Sequence, residues 1–204
     1  MEKLNTFNSL FDCPVFSHDH AGIDDAFLKS YILNLRQIDK GRTVSNKNGW
    51  QSNLADLRSP ELSEFFQILL KDFNYYFEQL GGDINTKEVM ITNCWFNINE
   101  KNSFNWPHVH DGFASGVYYI EADKDTGDLI FTHPSALIDL QWPSNWFNKN
   151  SHYSCTTPFW KMPPESSRFY IFPSWLTHSV DMNTTDKTRI SVALNTTIVD
   201  RKDK

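Results

Sequence analysis

Three histidines and one arginine carry the spacing of a metal centre with an acid-binding group beside it. His108 and His110 stand two apart, His178 follows 68 residues after His110, and Arg189 lies 11 residues beyond His178. In extended chain, alternate side chains share a face, so the H-x-H pair can aim both imidazoles at one ion. Imidazole suits iron, copper, zinc and nickel. A third histidine from a distant strand completes a cluster that leaves coordination positions open. The guanidinium fork of Arg189 matches the carboxylate of a small acid held in the same cavity. Together these residues point to an oxygen-activating iron centre. His18-Asp19-His20 is a second H-x-H pair. It lies in a polar segment without a partnered strand pattern and is read as structural.

Such a cluster needs a strand-built scaffold, and the chain supplies one after Asp83. Segments 89–98, 116–120, 129–131, 168–172 and 189–198 are rich in β-branched and aromatic residues and read as strands. Asp125-Thr126-Gly127-Asp128 reads as a hairpin turn between two of them. The first 85 residues read as mainly helical. Segment 25–38 places Phe27, Leu28, Tyr31, Ile32, Leu35 and Ile38 at helical spacing. Ser59-Pro60-Glu61 reads as a helix start, and the stripe Leu62, Phe65, Phe66, Leu69, Phe73, Phe77 and Leu80 runs to Gly81-Gly82. Between the two helices, Asn46 to Trp50 reads as a turn-rich loop near the cavity. Residues 134–165 hold five prolines and three tryptophans and read as a long excursion, with a lid as one role. Trp142, Trp146 and Trp160 are read as packing for that loop before any channel lining, and His133 and His152 as loop residues. The sum is a mainly β fold: a double-stranded β-helix, or jelly roll of the cupin kind, with N-terminal helices packed outside.

At 204 residues and 23.8 kDa, the chain is expected to form a single domain: residues 1–85 a helical extension, residues 86–200 the core. The formal charge of −6 and pI near 5.6, with no run of Lys or Arg, argue against a nucleic-acid groove. Cys13, Cys94 and Cys155 lack any C-x-x-C spacing and read as free thiols of a reducing compartment. No stretch approaches the ~20 apolar residues of a membrane span, and Met1 to Asn5 lack the apolar core of a secretion signal. A cytoplasmic protein is expected, with a small-molecule or protein substrate, no membrane partner, and a homodimer left open.

The order of motifs also resembles a known family. Pro107-His108-Val109-His110, then Ser115 to Ile120, then Thr126 to Phe131 is similar to the core of 2-oxoglutarate and Fe(II)-dependent oxygenases, including prolyl hydroxylases. Tyr170-Ile171-Phe172-Pro173 before His178, and Arg189-Ile190-Ser191 after it, continue the likeness. Ser-Gly-Val-Tyr-Tyr after H-x-H further resembles an oxygenase group of marine bacteria and their phages, a bacterial or phage origin. The resemblance spans roughly residues 89–198. It implies Fe(II) held by His108, His110 and His178, and 2-oxoglutarate bound through Arg189, Ser191 and Tyr119. Asn195 shares the strand parity of Arg189 and Ser191 and is expected to face the cavity. The implied activity is hydroxylation or another oxidation of a substrate, with succinate and CO2 released.

One departure from the family pattern matters. The usual ligand set is two histidines and a carboxylate, and here His110 stands at the carboxylate position. Asp111 is adjacent and would replace it only if a bulge turned it inward. A third neutral ligand leaves the centre one unit more positive. Two other readings stay open on these residues: a three-histidine dioxygenase that needs no oxoglutarate, and a non-catalytic jelly-roll binding protein.

Overall fold

Eleven strands and two helices make up the computed structural model, which describes residues 12–135 and 156–201. In chain order these are β1 (Phe16–Asp19), α1 (Asp25–Ile38), β2 (Asn46–Lys47), β3 (Trp50–Gln51), α2 (Ser63–Gln79), β4 (Lys87–Asn99), β5 (Phe104–His108), β6 (Ala114–Glu121), β7 (Leu129–Thr132), β8 (Phe159–Met162), β9 (Arg168–Pro173), β10 (His178–Val180) and β11 (Arg189–Asp200). They form a six-stranded sheet ordered β1-β9-β6-β11-β4-β3 and a five-stranded sheet ordered β2-β5-β10-β7-β8. Every pairing is antiparallel. This is the expected jelly roll, with helices outside.

Alternation along the strands sorts side chains into two layers. On β11, Ile190, Val192 and Leu194 point to the helices, while Arg189, Ser191, Ala193 and Asn195 line the space between the sheets. On β4, Cys94, Phe96 and Ile98 join the helix-side core, and Asn93, Trp95, Asn97 and Asn99 face inward. The main core therefore lies between α1, α2 and the outer face of the larger sheet. Leu28, Ile32, Leu69, Phe73 and Phe169 are all at most 2 % exposed there. Burying each such side chain is worth roughly 1.5–3 kcal/mol, so the helices cover this face of the sheet and the opposite face lines the cavity.

Helix α1 has the expected bounds, with the Asp24 carboxylate capping the Phe27 amide. The second helix begins differently. Ser59-Pro60 opens a 3-10 turn over Pro60–Leu62, Ser59 makes no side-chain cap bond, and α2 proper starts at Ser63. Leu80 falls outside the apolar stripe, about half exposed, and Gly81 closes the helix at φ +84°. Three short strands before Asp83 were not expected, and they tie the N-terminal region into both sheets. The Asn46–Trp50 loop is such a case: it is β2 and β3 around Asn48 at φ +60°, one strand in each sheet.

The hairpin expected at Asp125 to Asp128 is not one. Strands β6 and β7 belong to different sheets, so the turn carries the chain from one layer to the other. Its Thr126 amide bonds the Asp123 carbonyl, and its own carbonyls face the interior. Residues 136–155, which include Trp142, Trp146, His152 and Cys155, lie outside the described residues. Trp160 is on β8 and partly exposed. No helix among the described residues is long and apolar enough to cross a membrane.

Candidate metal centre and acid-binding cavity

Cross-strand register brings the histidines together. His108 ends β5 and His178 begins β10, and the two are directly paired. His110 lies two residues past β5, its amide held by the Ser174 carbonyl at 2.9 Å. Ring centres are 4.3 Å apart for His108 and His178, 4.9 Å for His108 and His110, and 5.1 Å for His110 and His178. One nitrogen from each lies within 4.8 Å of the others. Asp111 is exposed and outside this group.

Backbone carbonyls set which nitrogens face inward. His108 Nδ1 donates to the Trp106 carbonyl at 2.7 Å, and His178 Nδ1 donates to the Leu176 carbonyl at 2.9 Å. With the proton held on Nδ1, each Nε2 keeps its lone pair for a cation. Burial, with a neighbouring imidazole as the second cause, pushes His178 down to about 3 and His110 down to about 4. Burial also lowers His108. All three are thus neutral near pH 7, the form that binds metal. Three neutral, converging, borderline donors fit Fe(II).

The histidines stand at one side of a cavity of about 300 Å³ between the sheets. Arg189 lies within it and is 2 % exposed. Its Nη1 donates to the carbonyls of Gly127 (2.6 Å) and Thr126 (3.1 Å), while its buried Nε has no hydrogen-bond partner. Desolvation lowers its pKa, opposed by Tyr119 and Asp128. A guanidinium so buried, and without an ion pair among the described residues, calls for an anion. Tyr119, Ser191 and Asn195 all line the same cavity, and Tyr119 is fully buried, its hydroxyl pKa raised to about 12 by burial. Asn195 Oδ1 accepts from the Ser115 hydroxyl at 2.9 Å.

Several lining residues escaped the sequence reading. Asn93, Trp95, Asn97 and Asn99 pair in register with Asn195, Ala193, Ser191 and Arg189. Their two-residue period in a strand was a readable signal that this face is polar. Arg42 and Ser45, from the loop before β2, reach the same cavity and had no such signal. Ser45 Oγ sits 3.5 Å from His108 Nε2.

Residues 93–195, half of the chain, match the family described as "Putative 2OG-Fe(II) oxygenase". No curated protein sequence matches. Among solved structures, a prolyl-4-hydroxylase of Pseudomonas putida aligns with TM-score 0.56 at 12% identity, covering 93% of each chain. The viral collagen prolyl hydroxylase of Paramecium bursaria chlorella virus 1, in complex with 2-oxoglutarate, gives 0.56 at 12% identity, with 89% of this chain and 94% of that one covered. HygX of Streptomyces hygroscopicus, with nickel and 2-oxoglutarate bound, gives 0.54 at 12% identity over 88% and 81%. These likenesses concern the fold, whereas the family match covers the stretch that holds the three histidines and Arg189. The chain belongs to the 2-oxoglutarate- and Fe(II)-dependent oxygenases, enzymes whose metal is Fe(II) and whose cosubstrate is 2-oxoglutarate.

Proposed function

We propose that His108, His110 and His178 hold the Fe(II), and that Arg189 binds the distal carboxylate of 2-oxoglutarate. One observation carries the reading: a single cavity holds three neutral imidazoles converging on a point and a buried arginine with an unsatisfied Nε. When bound, the metal supplies the redox chemistry by which O2 and 2-oxoglutarate become succinate and CO2 while a substrate C–H bond is oxidised, in the simplest case to C–OH. The chain's own residues bind and orient. Arg189 offers a forked, charge-assisted pair of donors that Lys would not reproduce. Ser191 and Tyr119 add hydroxyls on the same side, and the enclosing sheets limit water around the reacting groups. Asn195 positions Ser115 at the cavity wall. The described residues form one catalytic domain in this reading, because β1, β2 and β3 are built into the same two sheets as the core.

The three-histidine set could serve a dioxygenase that needs no oxoglutarate, but the family match over residues 93–195 favours the oxoglutarate reading of Arg189. Anaerobic titration of the Fe(II)-loaded chain with 2-oxoglutarate tests the assignment through the visible absorption of the chelate. The band should be lost in His178→Ala. In Arg189→Lys it should survive but require at least tenfold more 2-oxoglutarate. Full iron affinity in the His178 variant, or an unchanged titration in the Arg189 variant, overturns it.

A further inference from the structure

On the other face of the larger sheet, two more histidines converge on a carboxylate. We propose that His18, His20 and Asp72 form a second site for a divalent transition metal, clamping β1 to α2. His18 lies on β1 and His20 just after it, two residues apart, with ring centres 4.1 Å from each other. Asp72 projects from α2, its side chain only 11% exposed. His18 Nδ1 is 3.1 Å from both carboxylate oxygens, and His20 Nε2 is 2.6 Å from Oδ2. All three ligand atoms lie within 4.8 Å of one another.

These are hydrogen-bond distances, and they lie near those of groups that share an ion. Metal–ligand bonds of about 2.0–2.2 Å at octahedral to tetrahedral angles put neighbouring ligand atoms ~3.0–3.5 Å apart. His18 already meets that spacing, and the His20 contact needs to open by only ~0.5 Å. The rings converge as closely as those in the cavity, where the nearest pair is 4.3 Å apart. Two imidazoles and one carboxylate are a donor set for iron, cobalt, nickel or zinc. The His18 side chain is 49% exposed, which gives an ion a way in and leaves coordination positions for water. Asp19, the nearest other carboxylate in sequence, is taken up by Arg168.

The site is separate from the cavity. His20 packs on Tyr118 and Phe169, which belong to the helix-side core, while Tyr119 and Tyr170 of the same strands face the opposite way. If the trio were only hydrogen-bonded, both imidazole N–H groups would donate to the Asp72 carboxylate and no ion would be held. The two arrangements differ in metal stoichiometry.

Equilibrium dialysis of the metal-free chain against Zn(II) reads that number directly. Wild type should retain two equivalents, and His178→Ala, His18→Ala and Asp72→Asn one each. The double variant His18→Ala/His178→Ala should retain none. His18 is half exposed, so its variant should fold, as circular dichroism can verify. A second equivalent that persists in both His18→Ala and Asp72→Asn, or a wild type that holds a single ion lost in His178→Ala, overturns the proposal. A single ion that survives His178→Ala but is lost in His18→Ala would support this site and count against the cavity triad.

Discussion

Arg189 depends on backbone that few residues could supply. Its Nη1 is held by the Thr126 and Gly127 carbonyls, and Gly127 has φ +101°. A Cβ there would stand 2.3 Å from the Asp181 carbonyl oxygen and 3.1 Å from Nη1 itself. Gly127→Ala therefore combines left-handed strain with a backbone clash, at a cost of roughly 1–3 kcal/mol. Urea unfolding should show that loss. Because the arginine's carbonyl cradle moves, the same variant should bind 2-oxoglutarate several-fold more weakly while metal affinity stays near wild type. Equal loss of both ligands would mean that Arg189 does not serve the acid alone. Tyr119→Phe removes a buried hydroxyl that faces Arg189 within the cavity. It should weaken 2-oxoglutarate in a calorimetric titration by several-fold, with no change in metal stoichiometry.

At the scale of elements, α2 packs its apolar face against the outer face of the larger sheet. Phe73 is fully buried, and its ring meets Phe169 edge-on at 5.4 Å. Phe73→Ala should cost about 3–5 kcal/mol by chemical denaturation. The molecules that remain folded should bind Fe(II) normally, since Phe73 lies on the helix side of β9 and β6. Long elements of this kind were legible in the sequence. Strands β4, β6, β9 and β11 alternate or run apolar over six or more residues, and α1 shows its period through Leu28, Ile32 and Leu35. The short ones were not. Strand β10 is three residues long, too few for a period, although it carries His178. Strands β2 and β3 look like a loop because two-residue strands are defined by their partners alone. Loop Asp125 to Asp128 has hairpin chemistry, and only the separation of β6 and β7 into two sheets shows that it is a crossover. The site followed the same rule. His108, His110 and His178 were readable from type and spacing, whereas Asp72 joins His18 and His20 through a contact between helix and strand 52 to 54 residues apart.

For the whole molecule, the proposed site predicts that metal and acid stabilise the fold. Three imidazole nitrogens and a guanidinium converge between two sheets, and desolvation disfavours charge on each of them. Ligands that bind only the folded chain stabilise it by mass action, by about 2.7 kcal/mol at a hundred times Kd. In a chain of this size each kcal/mol is worth roughly 2–4 °C, so saturation should raise Tm by ~5–10 °C. The increments should also come in order. Mn(II), a redox-quiet stand-in for Fe(II), should stabilise by itself. 2-Oxoglutarate should add its share chiefly to the metal-loaded chain, because in the proposed arrangement its other end needs the ion while its distal carboxylate needs Arg189. Thermal melts with each ligand alone and with both together separate these terms. Arg189→Lys should keep the metal increment and lose most of the 2-oxoglutarate one. If 2-oxoglutarate raises Tm equally with and without metal, the acid sits somewhere other than beside the histidines, and the shared cavity is not where the two cofactors meet.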